Sequence, residues 1–170
     1  MKNWFYEQMA MYSAYHRDGR NQATHHLGVP MIVFSLLVIA ATVPLTTISG
    51  VSVTLAEVLM AALVFFYILV APLVGLIAVL IYGALTYVAA MVAAQGNATG
   101  IFAILFVVGW IIQFIGHGFE GRRPALFNNL LQIFMAPSFL IAELLFMAGL
   151  EQGLKAEIGK RIDTYLPKAG

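Results

Sequence analysis

Cysteine is absent from this chain, so disulfides, zinc–thiolate sites and iron–sulfur clusters are excluded at the outset. Charge is almost as scarce: between Arg20 and Glu120 the only formally charged residue is Glu57. Charged residues make up 10% of the chain and hydrophobic ones 61%. A water-soluble domain of 170 residues could not hide that much apolar chain, because its surface would have nothing polar to show. With a mean hydropathy of +0.89, the composition is that of an integral membrane protein, read as one domain over 1–170 with no separate soluble module. A net charge of +1 and the lack of any basic patch interleaved with aromatics argue against a nucleic-acid partner. The N-terminus lacks the basic, apolar, small-residue succession of a cleavable signal, so the membrane helices are expected to do the targeting.

What is present is apolar chain in long runs, with an interfacial segment over 1–27, a membrane bundle over 28–149 and a tail over 150–170. Residues 2–18 read as an amphipathic helix, with Phe5, Met9, Tyr12 and His16 on one face and Trp4, Tyr6 and Tyr15 as interface aromatics. Arg17-Asp18-Gly19-Arg20 breaks it, and Asn21 is the expected N-cap of the next helix. Four spans follow, at about Met31–Ser49, Ala56–Val70, Leu73–Ala94 and Ile101–Gly118. Residues 125–149 form a fifth apolar segment carrying Asn128, Asn129, Gln132 and Glu143, with Ala136-Pro137-Ser138 at its centre. Polar groups at that density suit two half-helices broken at Pro137 and packed within the bundle, or re-entrant, better than a lipid-facing span. From about Glu151 the tail reads as a short amphipathic helix with Lys155, Lys160, Arg161 and Lys168. The expected fold is therefore all-α, a polytopic membrane helix bundle.

Parity carries the argument from fold to chemistry. Four crossings return the chain to its starting face, so His16 and His25, ahead of the first span, meet His117 at the end of the fourth. Lys2, Arg17, Arg20, Arg122 and Arg123 lie on that face and the opposite loops hold no Lys or Arg, which makes it and both termini cytoplasmic. Neutral imidazoles of His16, His25 and His117 suit a borderline metal such as Fe(II) or Zn(II). Glu120 or Glu143 can add an oxygen ligand or orient a histidine. His26 points about 100° away from His25 on a helix and is a weaker candidate. Asn21, Gln113, Asn129 and Gln132 read as substrate or outer-shell hydrogen-bonding groups, or as interhelical glue. Arg122 and Arg123 suit either an acidic headgroup or topology anchoring.

The stretch Tyr15-His16-Arg-Asp-Gly-Arg-Asn21-Gln-Ala-Thr24-His25-His-Leu-Gly28-Val-Pro30 resembles the N-terminal signature of the Mpo1-like family. Gln113-Phe-Ile-Gly116-His117-Gly-Phe-Glu120-Gly-Arg-Arg-Pro124 is similar to its second, and Asn129 to Gln132 through Ala136-Pro137 to Glu143 to its third. The resemblance covers nearly the whole chain. It implies an Fe(II)-dependent dioxygenase of fatty acid α-oxidation, an oxidoreductase that uses O2 to convert a long-chain 2-hydroxy fatty acid to the acid one carbon shorter. His16, His25 and His117 match the family's histidine positions, with Glu120 beside them in the catalytic group. Arg122, Arg123, Asn21, Asn129 and Gln132 would serve the substrate. The bilayer is the expected medium, either a bacterial inner membrane or the endoplasmic reticulum of a eukaryote, and an oligomer is compatible with the chain.

Other classes fit part of the same residues. A bis-His haem protein would show a Soret band, a zinc lipid hydrolase would be indifferent to O2, and a non-catalytic scaffold or lipid-binding protein would tolerate loss of all three histidines.

Overall fold

A computed structural model of the chain describes residues 1–127 and 129–166; Asn128 and Lys168 lie outside the described residues. Helix α1 (Lys2–Ala14) buries Phe5, Met9 and Tyr12, the face its periodicity predicted. It ends four residues earlier than expected. Tyr15 and His16 fold back to bond Tyr12 and Ser13 carbonyls at 3.1 Å, and the chain turns there. Helix α2 (Gly19–Ala40) begins with Asp18, not Asn21, as its N-cap, the carboxylate accepting from the Arg20 N–H at 2.8 Å. Asn21 is already inside the helix, with its side chain committed elsewhere.

The far half of the expected first span is not helical. After Ala40 the chain forms an antiparallel hairpin, β1 (Pro44–Ile48) and β2 (Val51–Thr54). Pro44 lacks an N–H and opens the first strand, while Thr- and Val-rich sequence favours extended backbone. Ser49 and Gly50, with φ of 51° and 82°, supply the paired positive dihedrals of a two-residue turn. Thr54 and Glu57 then close a capping box that starts α3 (Leu55–Val70).

Ala71 separates α3 from α4 (Pro72–Ala93), and α5 (Ala98–Glu120) returns toward the N-terminal end. Helices α2, α4 and α5 are long and apolar enough to cross a membrane; α3, at 16 residues, is shorter. Helices α2 and α5 run antiparallel in close contact, because glycines remove the side chains that would hold them apart. A Cβ on Gly109 would lie 2.7 Å from Ile32 Cγ1, and one on Gly116 2.0 Å from Thr24 Oγ1. This seam brings the start of α2 against the end of α5. Gly121, with φ of 68°, closes α5 in the left-handed conformation glycine favours.

A 3-10 turn at Ala125–Phe127 leads to α6 (Gln132–Met147), which is one continuous helix and not two half-helices. Pro137 removes an N–H from its interior, and two tyrosines of neighbouring helices donate to carbonyls close to it. The Tyr67 hydroxyl donates to the Phe134 carbonyl, and Tyr82 donates to the Pro137 carbonyl at 3.2 Å. The stretch from Met135 to Ala142 is buried without interruption, so α6 packs inside the bundle. The sharp bend comes later: α7 (Gln152–Ile162) is turned 115° from α6 and lies on α1, where Arg161 pairs with Glu7 at 3.2 Å.

Candidate metal centre

The turn between α1 and α2 places His16; the first turns of α2 place His25, and the last turn of α5 places His117. All three are buried, and one ring nitrogen from each lies within 4.8 Å of the others. Among the described residues no other group of His, Asp and Glu has this arrangement. The helix break at 15–18 is what lets residues nine apart face one point. On one unbroken helix they would look in opposite directions.

Hydrogen bonds fix two of the tautomers. His16 Nδ1 faces the Tyr12 carbonyl at 2.6 Å and His25 Nδ1 faces the Asn21 carbonyl at 2.9 Å. A carbonyl only accepts, so both Nδ1 atoms carry the hydrogen and both Nε2 atoms of the neutral rings present lone pairs. Those two Nε2 atoms stand 3.0 Å apart. Burial, and next the neighbouring His25, hold the His16 imidazolium well below the usual histidine range, so a proton between them is disfavoured. His117 Nδ1 is buried and has no hydrogen-bond partner. Lone pairs converging in a buried space, with outer nitrogens tied to backbone carbonyls, are the donor set of a cation site. The residues fit a metal ion.

Glu120 is surrounded by N–H donors. Its carboxylate accepts from the Arg17 N–H at 3.1 and 3.0 Å, the Asp18 N–H at 2.8 Å and Asn21 Nδ2 at 3.0 Å. It clamps the turn that carries His16 to the end of α5. Asn21 also donates to the Tyr15 carbonyl at 3.2 Å, and its own carbonyl receives His25. Tyr12, expected from its spacing on the same helix face as His16, is buried and stacks on the His16 ring at 3.9 Å.

The remaining sequence candidates sit elsewhere. His26 and Glu143 pair with each other at 3.4 Å. Asn129 Nδ2 and Gln132 Nε2 both donate to Gln8 Oε1, at 2.7 and 2.8 Å, joining α6 to α1. Arg122 stacks on the Tyr15 ring at 3.8 Å and donates to the Ala14 and Tyr165 carbonyls. Arg123 is exposed.

A cavity of about 680 Å³ opens from the histidines. His16, His25, His117 and Gln113 line one end; Val29, Ile32, Val33, Leu36, Leu37 and Ala40 line one wall down α2. Fifteen residues of helix separate His25 from Ala40, an axial distance of about 22 Å. Leu59, Met60 and Leu63 of α3 form the facing wall. Periodicity alone did not mark them, since an apolar residue lining a cavity reads like one facing lipid. Trp4, Leu36, Leu59 and Phe134 reach both the cavity and the outer surface, so its side is open.

The family described as 2-hydroxy-palmitic acid dioxygenase Mpo1-like matches residues 2–148, a range that takes in all three histidines. The chain is also similar to the Saccharomyces cerevisiae protein named 2-hydroxy-palmitic acid dioxygenase MPO1. The two are 36% identical over 154 residues, 89% of this chain and 85% of the yeast protein. No solved structure matches the chain. On a family match of that extent, the chain belongs to the Mpo1-like family.

Proposed function

We propose that this protein is an Fe(II)-dependent dioxygenase that converts a long-chain 2-hydroxy fatty acid to the acid one carbon shorter, with His16, His25 and His117 holding the metal. The observation that carries the reading is the pair of facing Nε2 atoms 3.0 Å apart, whose Nδ1 hydrogens are both committed to carbonyls. The name of the yeast relative supports the substrate class. When bound, iron supplies electrons to O2 and open positions at which an α-hydroxy carboxylate can chelate. Because Glu120 is occupied by N–H donors, the three histidines present no negative charge, and the anionic substrate is left to balance the cation.

The chain's own residues do the rest. The apolar wall from Val29 to Ala40 accepts the acyl chain, and the open side between α3 and α6 admits it from lipid. With C–C bonds of about 1.5 Å, an extended chain of sixteen carbons is roughly 19 Å long, within the reach of that wall. Burial of the histidines keeps bulk water from the reacting end. The overall change breaks the C1–C2 bond: R–CH(OH)–COOH and O2 give R–COOH, CO2 and H2O. The four electrons lost by the acid are those gained by O2, so no co-reductant is needed. The histidine end is cytoplasmic, since Lys2, Arg17, Arg20, Arg122 and Arg123 gather there.

The test is purified protein loaded anaerobically with Fe(II), then given 2-hydroxyhexadecanoic acid and ¹⁸O2. Pentadecanoic acid carrying ¹⁸O in its carboxyl group is the expected product. Turnover that continues without O2, or only with zinc, contradicts the proposal.

A further inference from the structure

The polar end of the cavity contains one side chain that the histidine site does not use. Gln113 lies one helical turn before His117 on α5, so both face the same way. It is 4% exposed, lines the cavity, and its Nε2 has no hydrogen-bond partner. A buried primary amide without a partner is costly, and such groups are normally satisfied. The fold makes room for this one: a Cβ on the facing Gly28 would lie 2.9 Å from Gln113 Nε2. Among the described residues lining the cavity there is no Lys or Arg. Arg122 is spent on Tyr15 and two carbonyls, and Arg123 points outward.

We propose that Gln113 is the headgroup-recognition residue of the cavity, its amide N–H donating to the carboxylate of a long-chain acid seated beside His117. The assignment rests on the fatty-acid reading above but makes its own claim: the acid is recognised by a neutral amide and the metal, not by an arginine. A neutral donor suits this depth. A guanidinium would cost far more to bury in the resting protein, and would compete with the metal for the same anion. A hydrogen bond to a charged partner is also among the stronger ones, so its loss should be plain in binding.

The experiment uses the metal-loaded protein in lipid nanodiscs. Both tryptophans of the chain, Trp4 and Trp110, line the cavity, so their fluorescence reports occupancy. Gln113→Met keeps the volume and removes the donor. Gln113→Glu keeps the shape and sets a carboxylate against the ligand; either variant suffices if the other fails to assemble. Binding of 2-hydroxyhexadecanoic acid, and of plain hexadecanoic acid, should weaken about tenfold or more, with KM rising in step and metal content unchanged. Binding of uncharged hexadecane-1,2-diol should change less than twofold. Equal weakening of acid and diol would make Gln113 a wall residue and overturn the assignment, as would unchanged acid binding. If wild type binds the acid but never turns it over, the dioxygenase reading fails, while the acid-against-diol comparison still decides the role of Gln113.

Discussion

The side chain of Asn21 donates to Glu120 at 3.0 Å across 99 residues of sequence, and this contact ties the turn that carries His16 to the end of α5. The same carboxylate holds the Arg17 and Asp18 N–H groups, so three of its neighbours are pure donors. Glu120→Gln places an NH2 against them. Expected is a protein that still inserts in membranes but binds metal roughly 10–100-fold more weakly, as for other partners that orient ligands. Metal titration followed by atomic absorption checks it. Unchanged affinity would mean that the turn holds itself.

Chain-length selection should follow the far end of the cavity. Ala40 lines it about 22 Å from His25 along α2. Ala40→Phe fills that end and should shift preference to acids several carbons shorter, with metal content unaltered. Competition between 2-hydroxy acids of twelve and sixteen carbons reads the shift directly.

Arg122, which from sequence suits either an acidic headgroup or topology anchoring, stacks on Tyr15 and donates to the Ala14 and Tyr165 carbonyls. Arg122→Ala is expected to cost about 1–2 kcal/mol of stability through loss of stacking and hydrogen bonds. KM for the acid should stay within about twofold of wild type. Thermal unfolding in detergent, alongside steady-state kinetics, separates the two effects.

Acid should loosen the tail before the bundle. Lys160 and Arg161 hold the Glu157 carboxyl below its usual range, so the folded protein binds fewer protons there than the unfolded chain. That contribution is fully present above the unfolded value of about 4.5 and is lost as pH falls through the lower folded value. Hydrogen-exchange protection factors across α7, corrected for the intrinsic rate at each pH, should therefore fall below about pH 4.5, while the α2–α5 seam stays protected. Simultaneous loss of both would contradict it.

The meeting of His16, His25 and His117 was legible in the sequence because it depends on where apolar runs start and stop. Although β1 and β2 replace the far part of the first run, the start of α2 and the end of α5 still meet, which is what brings the three histidines together. What sequence missed depends on partners distant along the chain. Pro137 reads locally as a helix breaker, yet α6 runs through it, packed inside the bundle where the hydroxyls of Tyr67 and Tyr82, brought by α3 and α4, donate to the Phe134 and Pro137 carbonyls. Glu120 reads from sequence as either an oxygen ligand or a group that orients a histidine. Its real neighbours are backbone N–H groups about a hundred residues away, which no local pattern reveals. Asn129 and Gln132 read from sequence as site groups or as interhelical glue, and their bonds to Gln8 join α6 to α1, a partner no local pattern names.

The most direct test of the metal centre is the metal content of wild type beside His16→Ala, His25→Ala and His117→Ala, each purified anaerobically with Fe(II) and checked for helix content. The account predicts iron near one per chain in wild type, with marked loss in each variant while circular dichroism is unchanged. Full iron retention in any one of the three folded variants would contradict the three-histidine site.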